Sequence, residues 1–183
     1  MRTSQPGQSS LLLLDAVGIL KELHINYAVI GAMAASFYGV VRASFDADAV
    51  ISITTQSLES LEKTFKQDGF QTELRRGDHR DPIPALLALS DTYGNRVDLL
   101  AGIRGMDPDT FARTVEVPFE GERIRMVGLE DFIAMKVFAG SPKDLEDAKQ
   151  AMAVSGKSID RSLLQKTTSH FGQKALKVLR TLI

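Results

Sequence analysis

Residues 27–52, YAVIGAMAASFYGVVRASFDADAVIS, constrain the fold of this chain more than any other stretch. YAVIG is a continuous apolar run ending in glycine, the pattern of a buried strand. AMAASFYG follows as a short helix of small residues stopped by Gly39, and DADAVIS reads as a second strand. In a strand, residues two apart point to the same face, so Asp46 and Asp48 stand side by side while Ala47 and Ala49 face the other way. Adjacent carboxylates repel each other and cost stability unless a cation lies between them. A hard divalent ion removes that cost, using one or two carboxylates together with substrate phosphates.

A third acid is available. In NRVDLLAG, Asp98 interrupts the apolar run Val97–Leu100, where an unpaired charge is expensive to bury. Two readings stand side by side for it: an ion pair with Arg96 or Arg42, or the third member of a metal-binding set. Asp-x-Asp on one strand with Asp on a partner strand suits phosphoryl transfer, in which metal ions clamp the attacking and leaving oxygens. Gly31, where the first strand opens into a helix, would then present backbone N–H groups to phosphates.

The rest of the chain reads as a mixed sheet followed by helices, an α+β order. Residues 9–24 carry apolar positions at helical spacing, and 56–68 form an amphipathic helix closed by Gly69. Ala85–Leu89 and Val97–Leu100 flank turn-formers as a hairpin, and TVEVPF and RIRMV flank EGE as another. Between them DPDTFAR predicts a short helix, with Asp107 as its cap and Pro108 at its first position. RRGDHR, residues 75–80, reads as a solvated polar loop. From Leu129 onward the pattern is helical. The expected division is 1–127, a sheet-bearing core, and 128–183, a helical part packed on it as one compact unit.

Composition excludes several chemistries. The 183 residues include no cysteine, which fits a reducing compartment and removes thiol catalysis, Cys-ligated zinc and iron–sulfur clusters. His24, His79 and His170 show no paired-ligand spacing, against a zinc hydrolase. The run Leu11–Leu14 is broken by Asp15 and reads as the start of a helix, and no stretch approaches the roughly 20 apolar residues of a membrane span. A cytoplasmic protein with no membrane partner is expected. Net charge is −1 but uneven: residues 155–183 hold six Lys and Arg against Asp160 alone. That tail is either a solvated helix face or a surface for nucleic acid or an acidic partner.

The quoted stretch, together with RVDLL and GLEDFIAMKVFAGSPKDLEDA at 128–148, resembles minimal nucleotidyltransferases of the DNA polymerase β superfamily, and within them the AbiEii-like bacterial group. The resemblance covers about residues 25–150. It implies the nucleotidyltransferase fold and Mg²⁺- or Mn²⁺-dependent transfer of a nucleoside monophosphate from an NTP to an acceptor hydroxyl on a small molecule, an RNA end or a protein. By position, Asp46, Asp48 and Asp98 would hold metal, with Asp98 also a possible base. Gly31 and Ala32 would lie in the phosphate-binding turn, with Arg42 and Ser44 near the nucleotide. Arg42 reads equally well as a structural partner of the carboxylates. Lys136 would neutralise the triphosphate, or would be an ordinary exposed helix lysine, while Asp144 and Asp147 would orient Lys136 or Lys143. Ala32 departs from the usual Gly or Ser, and Ser44 replaces the usual Thr. AbiEii-like proteins are typically toxins of two-gene toxin–antitoxin or phage-defence systems, so an antitoxin partner is implied. Two other functions remain open beside this one: a binding protein on a weakened nucleotidyltransferase fold, and an antibiotic-adenylylating enzyme.

Overall fold

A computed structural model describes residues 1–41 and 44–182. Arg42, named above as a nucleotide or carboxylate partner, lies outside the described residues. The chain runs α1 (Ser9–Glu22), β1 (Tyr27–Val29), α2 (Gly31–Phe37), β2 (Asp46–Ile51), α3 (Leu58–Gln67), β3 (Gln71–Arg76), β4 (Ala85–Ser90) and β5 (Arg96–Ala101). A one-turn 3-10 helix at Pro108–Phe111 leads to β6 (Val115–Phe119) and β7 (Glu122–Met126). The C-terminal part holds α4 (Leu129–Ala139), α5 (Pro142–Ser155), α6 (Arg161–His170) and α7 (Gln173–Arg180).

One sheet of seven strands has the order β3-β4-β5-β2-β1-β7-β6. The β2–β5 and β1–β7 pairs are parallel and the other four antiparallel. The later halves of the central strands β2 and β5 are buried on both faces, with Ala49, Val50, Ile51, Leu99 and Ala101 inside. Against one face of β2 and β5 packs α1, whose Leu12, Leu13, Leu14, Ala16, Val17 and Leu20 are all fully buried. At about 1.5–3 kcal/mol for each buried leucine, this helix contributes strongly to holding β2 and β5.

The sequence left one strand unread. Gln71–Arg76 forms β3, so Arg75 and Arg76 belong to a strand and only 77–80 of RRGDHR lies beyond it. Its apolar content is small because it is an edge strand whose side chains are half-buried at most. Charged edge strands resist pairing with other chains.

The C-terminal helices gather around α4, which contacts α5, α6 and α7. Gly140 ends α4 in the left-handed conformation, and Ser141 then caps α5 by accepting from the Asp144 N–H at 3.1 Å. The hairpin and helix parts are tied by a buried ion network. Arg113 donates to both oxygens of Asp131 at 2.8 and 2.7 Å and to Asp107 at 3.0 Å, and the Thr110 hydroxyl donates to Asp131 at 2.9 Å. Asp107 caps the 3-10 helix as expected, with Pro108 inside its first turn.

Candidate active site

The parallel register of β2 and β5 builds the site. Asp46 lies opposite Arg96 and Asp48 opposite Asp98, so three carboxylates and one guanidinium share one face of two adjacent strands. Ala47 and Ala49 turn inward and are buried, as the alternation requires. Asp46 is exposed and Asp48 half-buried, so the row begins at the solvent-exposed start of β2.

Gly31 follows β1 directly, with φ of +64°. A Cβ there would come within 2.0 Å of Asp48 Oδ2 and 2.8 Å of its Cγ. The backbone pairing agrees, with the Ile30 N–H donating to the Asp48 carbonyl at 2.9 Å. Glycine is therefore required because the Asp48 carboxylate itself occupies the space over the start of α2.

Arg96 Nε donates to Asp98 Oδ1 at 2.8 Å, and a second nitrogen lies 3.5 Å from Oδ2. This bond, before the attraction of Asp98, Asp46 and Glu73, raises the guanidinium's affinity for its proton. Of the two readings of Asp98, the ion pair is thus present. Among the described residues, no three His, Cys, Asp or Glu side chains are grouped closely enough to hold a metal ion unaided.

Lys136 is not an exposed helix lysine. Its Nζ lies 2.8 Å from Asp144 Oδ1 and 2.8 Å from Asp147 Oδ2, and the side chain is about nine-tenths buried beside the Phe132 ring. The two aspartates hold it on the wall of a cavity of about 280 Å³. Gly31 and Asp48 form one side of that cavity, and Phe132, Met135 and Lys136 of α4 the other, with Ile83, Leu100 and Ile103 between. Of the residues singled out from the sequence, Gly31, Asp48, Lys136 and Asp144 line this one cavity, Asp98 is adjacent by register, and Asp147 joins through Lys136. Ala32, Ser44 and Asp46 border a second cavity of about 490 Å³ that α1, α2 and the β6–β7 hairpin enclose. Lys143 is exposed on the first turn of α5 and lines neither cavity.

Sequence reasoning had named Arg96 only as a possible partner and had not counted it in the site. Its signal was available: an arginine two positions before an aspartate in a strand shares that aspartate's face. The apolar wall from Ile83 and Phe132 had no local signal, since both come from distant segments.

Solved structures confirm the fold. A nucleotidyltransferase-like antigenic protein from Paracoccidioides brasiliensis is 17% identical over 98% of this chain and 94% of its own, with a TM-score of 0.57. The antibiotic-resistance enzyme ANT(2")-Ia, solved with adenylyl-2"-tobramycin, is 16% identical over 90% of this chain and 99% of its own, with a TM-score of 0.60. The lincosamide adenylyltransferase LnuA is 11% identical over 83% of this chain and 99% of its own, with a TM-score of 0.51. No curated protein matches the sequence. A family described as nucleotidyl transferase of unknown function (DUF2204) matches residues 10–182, and the chain belongs to that family of nucleotidyltransferases.

Proposed function

We propose that the chain transfers a nucleoside monophosphate from an NTP to the hydroxyl of an acceptor, along the row of Asp46, Asp48 and Asp98. One observation carries this reading: Asp48 and Asp98 lie in direct register on adjacent parallel strands, facing the same side, with Gly31 yielding its side-chain space to Asp48.

The donor set fits Mg²⁺ or Mn²⁺, because it offers hard carboxylate oxygens on neighbouring strands and such ions are held by one or two carboxylates completed by substrate phosphates and water. Asp48 and Asp98, opposite each other in register, are the residues that would hold the ion together with substrate phosphates, with Asp46 next along the same row, and the ion when bound would supply positive charge to the phosphate oxygens. In transfer, the acceptor oxygen bonds to the α-phosphorus as the bond to pyrophosphate breaks, and the hydroxyl proton passes to a carboxylate, the role we assign to Asp98. The cavity beside Asp48 takes the nucleoside against Phe132, Ile83 and Leu100. Lys136 stands at its edge, its ammonium fixed and its charge offset by Asp144 and Asp147.

A thermal-shift titration with each of four NTPs, with and without Mg²⁺, tests this without knowledge of the acceptor. A ligand at 100 times its Kd adds about 2.7 kcal/mol. The expected result is a metal-dependent rise that Asp46→Asn/Asp48→Asn abolishes. A rise that the double variant retains would place the nucleotide elsewhere. A second reading, a binding protein whose chemistry has weakened, is favoured by Ala32 and by the ion pair that already neutralises Asp98. It predicts nucleotide binding without release of pyrophosphate. The AbiEii-like reading adds a toxin role with an antitoxin partner; growth arrest on expression, relieved by Asp48→Asn, is its test.

A further inference from the structure

The Arg96–Asp98 pair holds the acid that the proposed reaction needs, so it must open or be used. We propose that Arg96 is an exchangeable placeholder: its guanidinium holds Asp98 while the site is empty and transfers to the nucleotide's phosphates when they arrive, leaving Asp98 to the metal and the acceptor. This rests on the carboxylate row being the nucleotide site.

Four features point to exchange rather than permanent pairing. Arg96 is 41% exposed in its side chain, whereas Asp98 is 18% exposed, so the head of the arginine sits at the open rim. Its backbone, by contrast, is pinned: the Arg96 N–H donates to Ser9 Oγ at 3.0 Å, and that hydroxyl donates to the Phe45 carbonyl at 2.5 Å. A fixed backbone with a solvent-exposed head lets one side chain reach two partners without moving the strand. The contact with Asp98 is lopsided, at 2.8 and 3.5 Å, and a planar guanidinium fork pairs equally well with phosphate oxygens. The charges facing Arg96 are Asp98 on its own strand, Asp46 opposite it on β2, and Glu73 of β3 from further off. A cation entering that row must compete with the guanidinium, and an entering triphosphate attracts it. Both transactions follow from one charge.

The test measures Mn²⁺ binding by electron paramagnetic resonance and NTP binding by calorimetry in the full chain, comparing wild type, Arg96→Met and Arg96→Lys. Metal and guanidinium oppose each other at Asp98, so Arg96→Met should bind Mn²⁺ alone about tenfold more tightly and NTP about tenfold more weakly, within the range of couplings between linked ligands. Arg96→Lys should recover part of the NTP affinity. A purely structural role for Arg96 would weaken both ligands together, so opposite signs are diagnostic. Mn²⁺ affinity that is unchanged or weaker in Arg96→Met, or NTP affinity that is unchanged, overturns the proposal. Asp48→Asn separates the two levels: if it leaves both ligands bound as in wild type, or if wild type binds neither, the nucleotide-site reading falls and the exchange with it. Circular-dichroism melts confirm that each variant is folded.

Discussion

Arg96 and Arg113 each hold a carboxylate at 2.8 Å, yet the two clusters belong to different parts of the protein's economy. Around Arg113 the chain closes over the carboxylates. Asp107 and Asp131 side chains are each 4% exposed, the arginine 20%, and Thr110 fills a remaining acceptor position. Arg113 and its carboxylates bind the segment before β6 to the start of α4. Around Arg96 the chain stays open, with Asp46 exposed at the strand's beginning. The same ion-pair chemistry is structural where the carboxylates are buried and held by several donors from within, and available to a ligand where solvent still reaches it. Lys136 lies between the extremes, buried by two aspartates but facing a cavity.

The largest effect expected from this contrast is on stability. Arg113→Met strands two buried carboxylates, and urea denaturation should show a loss of about 3–5 kcal/mol. A loss under one would mean that the network is solvated and that the contrast is false. Next is Asp48→Asn, which should lower the rate of pyrophosphate release by about 10²–10³, the scale of losing a group that stabilises developing charge, while the melting temperature stays close to wild type. Gly31→Ala forces a left-handed alanine at about 1–2 kcal/mol and displaces the Asp48 carboxylate, so it should lose both stability and nucleotide affinity.

The acid side of the pH profile tests the closed cluster. Burial by itself would raise the Asp107 carboxyl, but the Asp109 N–H, Arg113 and His170 together hold it below the usual range. A depressed folded value stabilises the protein above the unfolded value of about 3.9, and that contribution is lost as the pH falls through the folded one. Thermal melts should therefore fall off below about pH 4, with a smaller acid-dependent loss in Arg113→Met. The smallest effect should come from Arg96→Met, whose half-exposed pair contributes about 1 kcal/mol or less. If Arg96→Met proves as costly as Arg113→Met, the rim pair is structural too.

Much of the site was legible beforehand. The period of two in DADAVIS places Asp46 and Asp48 on one face whatever the strand's neighbours, and the glycine after YAVI marks a turn into a helix. Asp107 and Pro108 at the 3-10 helix and the glycine closing α4 could be read likewise, because caps and breakers act within one turn. β3 could not, since QTELRR alternates half-buried residues with charges and only pairing with β4 makes it a strand. The Arg113 network joins residues 18 apart in sequence at Asp131, with no periodicity to announce it. The resemblance implies that Asp144 and Asp147 orient Lys136 or Lys143, and the folding of α5 back on α4 is what pairs both with Lys136.

The sequence by itself determined which residues share a face, because side-chain direction along a strand or helix is a local property of the backbone. Only the tertiary structure decided that Asp98 stands opposite Asp48, that Arg96 reaches Asp98 at the open rim, and that Arg113 is sealed among acids. Which strands become neighbours is settled by burying the apolar side chains of α1, β2 and β5 together, and that choice depends on residues far apart in the chain.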